Sequence, residues 1–387
     1  MITVFTAVYN RAYIIRQLYQ SLLSQTNYDF EWLIIDDGSE DEISEMVCQW
    51  MSEKKAPFKI RFYQQKNGGK HRAINRGVQL AEGDAFFIVD SDDYLESNAV
   101  EAIKMWWKDI KEDDSFAGIS GLRAVYNKDI VGGAPSVDGY VDATNMERER
   151  YNLQGDKAEV YKTQILKRYP FPEFDGENFL TEAVVWDRIA YDGLKIRWFN
   201  KVIYICEYRE DGLTRKGLDI FVKNPIGWGA YIRQTCEFYC LAEKERQRLY
   251  WTYFMELKDV LSLGELQGNL GLTETEINWI YDTYQEYIEN TIKKIGKRIA
   301  IYGLGARGQM VLKLYRHSSV EISFVMDRQK INVPYNQIGI EDSYPEADAI
   351  IITPKDGQDK ILTELRKRTK VKLLGFDEWK ACIALEI

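Results

Sequence analysis

The chain opens on an apolar run, Ile2 to Ala7, followed by polar residues, an amphipathic stretch from about Ala12 to Ser24, and a second apolar run, Glu31 to Ile35. Strand-length apolar runs alternating with helical periodicity predict an α/β sheet. The pattern continues with Ile60 to Gln64, a helical spacing over Lys70 to Ala81, and Ala85 to Val89, and Val202 to Cys206 reads as a further strand. Each run ends in polar residues. Ligands of open α/β sheets sit beyond the carboxyl ends of the strands, so the groups following Thr6, Ile35 and Val89 are expected to converge on one crevice.

Residues 216–296 lose the strand alternation and become rich in helix formers and aromatics such as Trp228, Tyr231, Phe238, Trp251 and Phe254. Large side chains at helical spacing read as core packing, so this zone is expected to be a helical connector. From Lys297 the pattern changes again. A strand (Arg298 to Tyr302), a glycine turn, a helix and a second strand (Glu321 to Met326) form a βαβ signature, with further strands at Ala349 to Thr353 and Lys372 to Phe376. The expected organisation is an α/β domain over 1–215, a helical connector over 216–296 and a Rossmann-like α/β domain over 297–387.

Composition narrows the class. The 387 residues are 45% hydrophobic and 29% charged, which fits a globular chain with room for two or three domains. The net charge of -9 argues against broad capture of nucleic acid, so an anionic ligand must be held locally. Charge is uneven: 15 Lys and Arg stand against 12 Asp and Glu from residue 297 onward, and 36 against 48 before it. Five cysteines without CxxC spacing suggest neither a disulfide framework nor a zinc site, and two histidines are too few for a three-His metal site. With no secretory leader and no membrane-length apolar run, the expectation is a cytoplasmic protein, with peripheral contact at the inner membrane face left open.

The densest chemistry is VDSDDYL at 89–95, where Asp90, Asp92 and Asp93 crowd the end of an apolar run. Three carboxylates so close repel one another, and a hard divalent ion, Mg²⁺ or Mn²⁺, would relieve that repulsion and bridge to a diphosphate. An acidic turn or helix cap is the competing reading. Three more motifs precede it in order: TAVYN (6–10), IIDDGSED (34–41) and NGGKHRAINRGVQLAEGD (67–84). Together the four segments resemble family 2 glycosyltransferases of the GT-A fold over about the first 210 residues.

The resemblance implies a nucleotide-diphosphate sugar as donor, UDP-linked by preference, and a glycan or lipid-linked glycan as acceptor. It places Thr6, Tyr9 and Asn10 in the nucleoside pocket and Asp37 against the uracil imide. Asn67, Gly69 and Lys70 fall on the loop over base and ribose. Asp90 would hold the ribose or assist the metal, and Asp92 would be the direct metal ligand. Where the family reads Ala-Arg-Asn this chain has Ala73-Ile74-Asn75, and Arg72 is one candidate for the missing charge. His71 is a weaker candidate contact in the same loop.

In FDGENFLTEAVVWDRI (174–189) the family commonly carries Glu-Asp with the Asp as general base, but here Ala183 follows Glu182. Glu182 is the nearest carboxylate to inherit the role, with Asp187, Asp175 and Glu177 in reserve. Arg209, Arg215 and Lys216 could embrace the donor diphosphate or a phosphorylated acceptor. The GLGARG run (303–308) places Gly303, Gly305 and Gly308 in a dinucleotide-type turn, with Asp327 closing the second strand, so a second nucleotide site is a candidate there. The leading expectation is a metal-dependent, inverting hexosyltransferase of cell-surface polysaccharide synthesis. A nicotinamide-dependent oxidoreductase centred on the glycine turn and an inactive nucleotide- or glycan-binding scaffold remain the alternatives.

Overall fold

The computed structural model describes residues 1–126, 129–207 and 217–385. The chain divides into two compact units, Met1–Cys240 and Leu241–Ile387. The helical zone is therefore shared, residues up to 240 belonging with the first unit and the rest with the second.

The first unit contains β1 (Ile2–Val8), α1 (Arg16–Leu23), β2 (Phe30–Asp36), α2 (Ile43–Glu53), β3 (Lys59–Gln64), α3 (Lys70–Leu80) and β4 (Ala85–Ile88). It continues with β5 (Tyr94–Leu95), α4 (Ala99–Ile110), β6 (Phe116–Val125), β7 (Tyr140–Ala143), β8 (Lys157–Lys162), α5 (Thr163–Arg168), α6 (Ala183–Tyr191), β9 (Lys195–Cys206), α7 (Leu218–Val222) and α8 (Pro225–Phe238). The sheet order is β3-β2-β1-β4-β8-β6-β9-β5, with β7 on β9. Strands β3, β2, β1 and β4 run parallel, and β8 joins antiparallel to both β4 and β6.

Alternation along the strands sets the two layers of core. Val4, Trp32, Ile34 and Phe87 pack on one face with residues of α1, α2 and α4. Their neighbours Phe5, Leu33, Ile35 and Phe86 pack on the other with residues of α3, α5 and α6. Strand β2 is buried along all seven residues, as a central parallel strand covered on both faces must be. Because β2 and β4 flank β1 on opposite sides, the chain reverses its winding at β1. That switch point is where a crevice opens beyond the strand ends. This is the mixed, mainly parallel α/β architecture of the GT-A type.

The second unit begins with three helices, α9 (Glu243–Leu257), α10 (Leu263–Leu270) and α11 (Glu274–Lys294). Both α10 and α11 start on a reciprocal cap, Ser262 with Glu265 and Thr273 with Glu276. Then come β10 (Arg298–Tyr302), α12 (Ala306–Tyr315), β11 (Glu321–Met326), β12 (Gln337–Ile338), β13 (Ala349–Ile352), α13 (Gln358–Arg366), β14 (Lys372–Gly375) and α14 (Phe376–Ile383). The five strands are all parallel in the order β12-β11-β10-β13-β14, a doubly wound sheet with its switch point at β10. Among the described residues no helix is long and apolar enough to cross a membrane.

Candidate active site

The crevice is built from the turns after β1, β2 and β4, the start of α3 and the start of α6. After β1, Asn10 adopts a left-handed backbone with φ 53°. Its side-chain oxygen accepts from the Glu40 N–H at 2.8 Å, and its own N–H donates to Ser39 Oγ at 2.9 Å. The first two turns are thereby tied together, beside an exposed Tyr9. Thr6 does not reach the crevice: it is fully buried, and its hydroxyl accepts from the Trp32 indole at 3.0 Å.

Asp37 organises the next wall. One carboxylate oxygen accepts from Gly68 N–H (3.0 Å) and Gln65 Nε2 (2.7 Å), the other from Gly69 N–H (2.7 Å), while Asn67 Nδ2 donates to the Asp37 carbonyl at 2.9 Å. The carboxylate thus folds the 65–69 loop around itself. Gly69 has φ +94°, and a Cβ there would meet the Asn178 carbonyl oxygen at 1.9 Å, so no other residue fits.

Lys70, the first residue of α3, joins the two halves of the crevice. Its Nζ lies 2.6 Å from Asp90 Oδ1 and 2.8 Å from Glu182 Oε1. Burial opposes the lysine's charge, yet Asp90 and Glu182 together push its pKa above the ordinary value. An ammonium at a helix amino terminus opposes the helix dipole, so these two carboxylates are what hold it there.

The three aspartates have separate environments. Asp90 Oδ2 faces Arg123 Nη1 at 3.5 Å. Burial would raise the Asp90 pKa, but Lys70 and Arg123 outweigh it and hold the carboxyl at about 2. Asp93 accepts from the Tyr204 hydroxyl at 2.8 Å and the Glu207 N–H at 3.0 Å; burial, then the charge of Asp90, push it up to about 7. Asp92 is raised by burial and then by Asp90, and has no ion-pair partner among the described residues. No cluster of three metal-ligating side chains exists among the described residues. Asp92 is therefore the carboxylate free to take a cation, and its remaining ligands would have to come from a bound diphosphate or water.

Glu182 precedes α6 and faces Lys70, whereas two of its three reserves are engaged elsewhere. Glu177 is buried and caps α8, accepting from Ile226 and Gly227 N–H at 2.6 and 2.8 Å. Asp187 is buried, accepts from Asn145 Nδ2 (2.7 Å) and the Tyr239 hydroxyl (3.2 Å), and is raised by burial. Asp175 is exposed on the connecting loop. Arg72 turns away from Asp90 and donates to the Phe174 carbonyl at 2.6 Å. Arg209, Arg215 and Lys216 lie outside the described residues.

Arg123 and Tyr204 complete the site without a motif to announce them. Arg123 on β6 stacks 4.2 Å over the Tyr204 ring, and the Tyr204 hydroxyl accepts from Asp90 N–H at 2.9 Å. The available signal was a single arginine inside the otherwise uncharged run Phe116–Val125.

At the glycine turn of the second unit, Asp327 Oδ2 accepts from Leu304 N–H at 2.6 Å and Oδ1 from Gln329 N–H at 2.9 Å. Gly303 has φ +89°, and a Cβ on Gly308 would meet the Gly303 carbonyl oxygen at 2.0 Å; Gly305 faces open space. The turn is shaped as a close helix–strand approach, with its carboxylate spent on the turn itself.

The first unit is thus an α/β domain with carboxylates gathered beyond its strand ends, at the switch point where such sheets bind ligands. Residues 3–163 match the family model of glycosyl transferase family 2. Glycosyltransferase GlyG of Streptococcus pneumoniae serotype 4 is 26% identical over 235 residues, 57% of this chain and 75% of that protein. Chondroitin synthase of Pasteurella multocida is 34% identical over 227 residues, 58% of this chain but 22% of that much longer protein. The solved structure of residues 1–349 of TarS from S. aureus with UDP-GlcNAc superposes with a TM-score of 0.49 at 17% identity, covering 76% of this chain and 85% of that one. The match to the family 2 glycosyltransferase model thus lies within the amino-terminal unit, and the named relatives of the chain are glycosyltransferases.

Proposed function

We propose that the crevice moves a hexose from a UDP-sugar, with inversion, to a hydroxyl of a glycan or lipid-linked glycan during synthesis of a cell-surface polysaccharide. The observation that carries this reading is the Lys70 bridge, with Asp90 at 2.6 Å and Glu182 at 2.8 Å. It sets a carboxylate able to act as base beside the aspartates expected to face a donor diphosphate. In this reading Glu182 takes the proton of the acceptor hydroxyl, and the oxygen forms its bond to the anomeric carbon on the face opposite the diphosphate. The bond from that carbon to the diphosphate oxygen breaks, and its electron pair leaves with UDP. Asp37 and the loop it holds would receive the base, with Tyr9, Asn10 and Asn67 around the nucleoside.

The residues present fit a divalent ion held by Asp92, with Asp90 in support through its contacts to Lys70 and Arg123. Mn²⁺ or Mg²⁺ bound there would neutralise charge on the departing diphosphate. The presence of Ala183 where the family commonly has Asp supports the second reading, an inactive binding scaffold.

Release of UDP from a panel of nucleotide sugars, with and without Mn²⁺ and acceptor, separates the readings. Asp92→Ala is expected to weaken donor binding and abolish metal-dependent release, and Glu182→Gln to keep donor affinity while losing transfer. Full turnover by the purified Glu182→Gln enzyme would remove Glu182 from the mechanism, and no turnover with any donor would favour the scaffold.

A further inference from the structure

Behind the donor loop, along α3, lies a cavity of about 450 Å³ lined by Gln65, Lys66, Arg72, Asn75, Arg76 and Glu173 among others. That volume is within the range of small-ligand sites. None of Asp37, Lys70, Asp90, Asp92 or Glu182 lines it, so it lies beside the crevice and shares with it only Gln65 and Lys66 of the loop that Asp37 folds. In a chain of net charge -9, three cations meet one carboxylate in this lining. Lys66 and Arg76 have no carboxylate partner among the described residues, and Glu173 lies 3.7 Å from Arg72 Nε. Arg72 and Arg76 stand one helical turn apart, a like-charge spacing that disfavours the helix unless an anion offsets it.

The cavity walls are fixed in advance. Arg72 is held by the Phe174 carbonyl at 2.6 Å, and Arg76 by the Gln64 carbonyl at 2.6 Å and the Tyr63 ring at 5.8 Å. Each guanidinium keeps further N–H groups for a ligand, and its ordering has already been met by the protein. The facing wall is stapled by Asn75, which accepts from Phe171 N–H at 2.8 Å and donates to the Phe171 carbonyl at 2.9 Å. Both walls lead into the crevice. Lys66 lies in the loop that Asp37 folds, and the segment from Phe174 passes over Gly69 at Asn178 before it reaches Glu182.

We propose that this cavity is a subsite for an anionic group, carboxylate or phosphate, carried by the acceptor glycan outside the sugar that receives the transfer. A fixed pair of guanidiniums with an adjacent lysine matches either oxyanion. The proposal rests on the glycosyltransferase reading, and its test needs no turnover. Calorimetric titration of the full chain would use three probes of similar length: a glucuronate-containing tetrasaccharide, a phosphodiester-linked polyol oligomer and a neutral tetrasaccharide. One anionic probe is expected to bind at least about tenfold more tightly than the neutral one, and Lys66→Ala with Arg76→Gln to erase that preference. Which anionic probe binds tells uronate from phosphate. Donor hydrolysis by Arg76→Gln alone should match wild type, since Arg76 stands on α3 outside the loop that Asp37 folds.

Equal binding of all three probes, or a preference that survives the double variant, would overturn the proposal. Binding of inorganic phosphate without preference among the oligosaccharides would make the cavity a small-anion site and overturn the acceptor assignment. Should the double variant lose its fold by thermal melting, the exposed Lys66→Ala alone carries the comparison, with a smaller loss of the same preference expected. Absence of donor hydrolysis in the wild type would instead break the glycosyltransferase reading while leaving the binding result standing.

Discussion

In the first unit, β4 runs out into three aspartates of which one is held down at about 2 and another pushed up to about 7. In the second unit, β11 runs out into Asp327, whose two oxygens close on the N–H groups of Leu304 and Gln329. Both are doubly wound strand ends beside a glycine-bearing turn, the place where such sheets bind ligands. The first keeps like charges in close, partly buried company and offsets them with Lys70, Arg123 and Tyr204. The second has spent its carboxylate on local geometry. Perturbed carboxylates in a cleft mark sites of chemistry more often than satisfied ones do, and the strand-end position alone does not tell them apart.

The largest expected effect tests that contrast directly. Glu182→Gln should lower transfer by about 10²–10⁴, the range for a lost general base, with donor affinity retained. Asp327→Asn should leave transfer unchanged. A comparable loss of activity in both variants, measured as UDP release with acceptor, would show that the second turn also serves the reaction.

The next effect lies in folding. A Cβ on Gly308 would sit 2.0 Å from the Gly303 carbonyl oxygen, so Gly308→Ala forces backbone apart and should destabilise the second unit by about 1–3 kcal/mol. Gly305, with open space before it and φ −66° at the cap of α12, should accept serine without loss. Thermal melts of the two variants distinguish a packing turn from a ligand cradle: equal stability would mean the turn is not held by close approach. Asp327→Asn should cost less, about 1 kcal/mol, because the amide oxygen still accepts one of the two N–H groups.

These contrasts also explain what the sequence disclosed. Strands β1, β2 and β4 were legible because each is a continuous apolar run followed at once by its polar motif. Four of the five strands of the second sheet were legible for the same reason, and the two-residue edge strand β12 was not. The Thr6 side chain was misread from motif position, although its strand parity was informative. Thr6 shares its face with Val4 and Val8, which are packed in the core, so its hydroxyl meets Trp32. Strands β6 and β8 escaped notice because their pattern is broken by buried polar residues. Lys157 opens β8 almost wholly buried, its ammonium donating to the carbonyls of Val131 and Gln154 at 2.9 and 2.6 Å. Such a lysine looks like a surface residue until the loop that wraps it is known. Arg123 and Tyr204 were hidden likewise, since their roles arise from pairing of β6 with β9, over 70 residues apart in sequence.

The smallest effect concerns His71, a buried residue in the first turn of α3 whose Nδ1 has no hydrogen-bond partner. Burial, then the neighbouring Arg72 charge, lowers its pKa; Glu173 and Asp37 act the other way without prevailing. The folded protein thus resists protonating an imidazole that the unfolded chain protonates near pH 6.5. Above that pH neither state binds the proton and the full stability is present. As pH falls below it the unfolded state binds more protons, so stability is lost toward the lowered folded pKa. His71→Gln removes this linkage. Between pH 7 and 5 the wild type should lose a few °C more in melting temperature than the variant. A wild-type slope equal to that of His71→Gln would mean that the imidazole takes up its proton in the fold, and that the donor loop tolerates a charge beside Arg72.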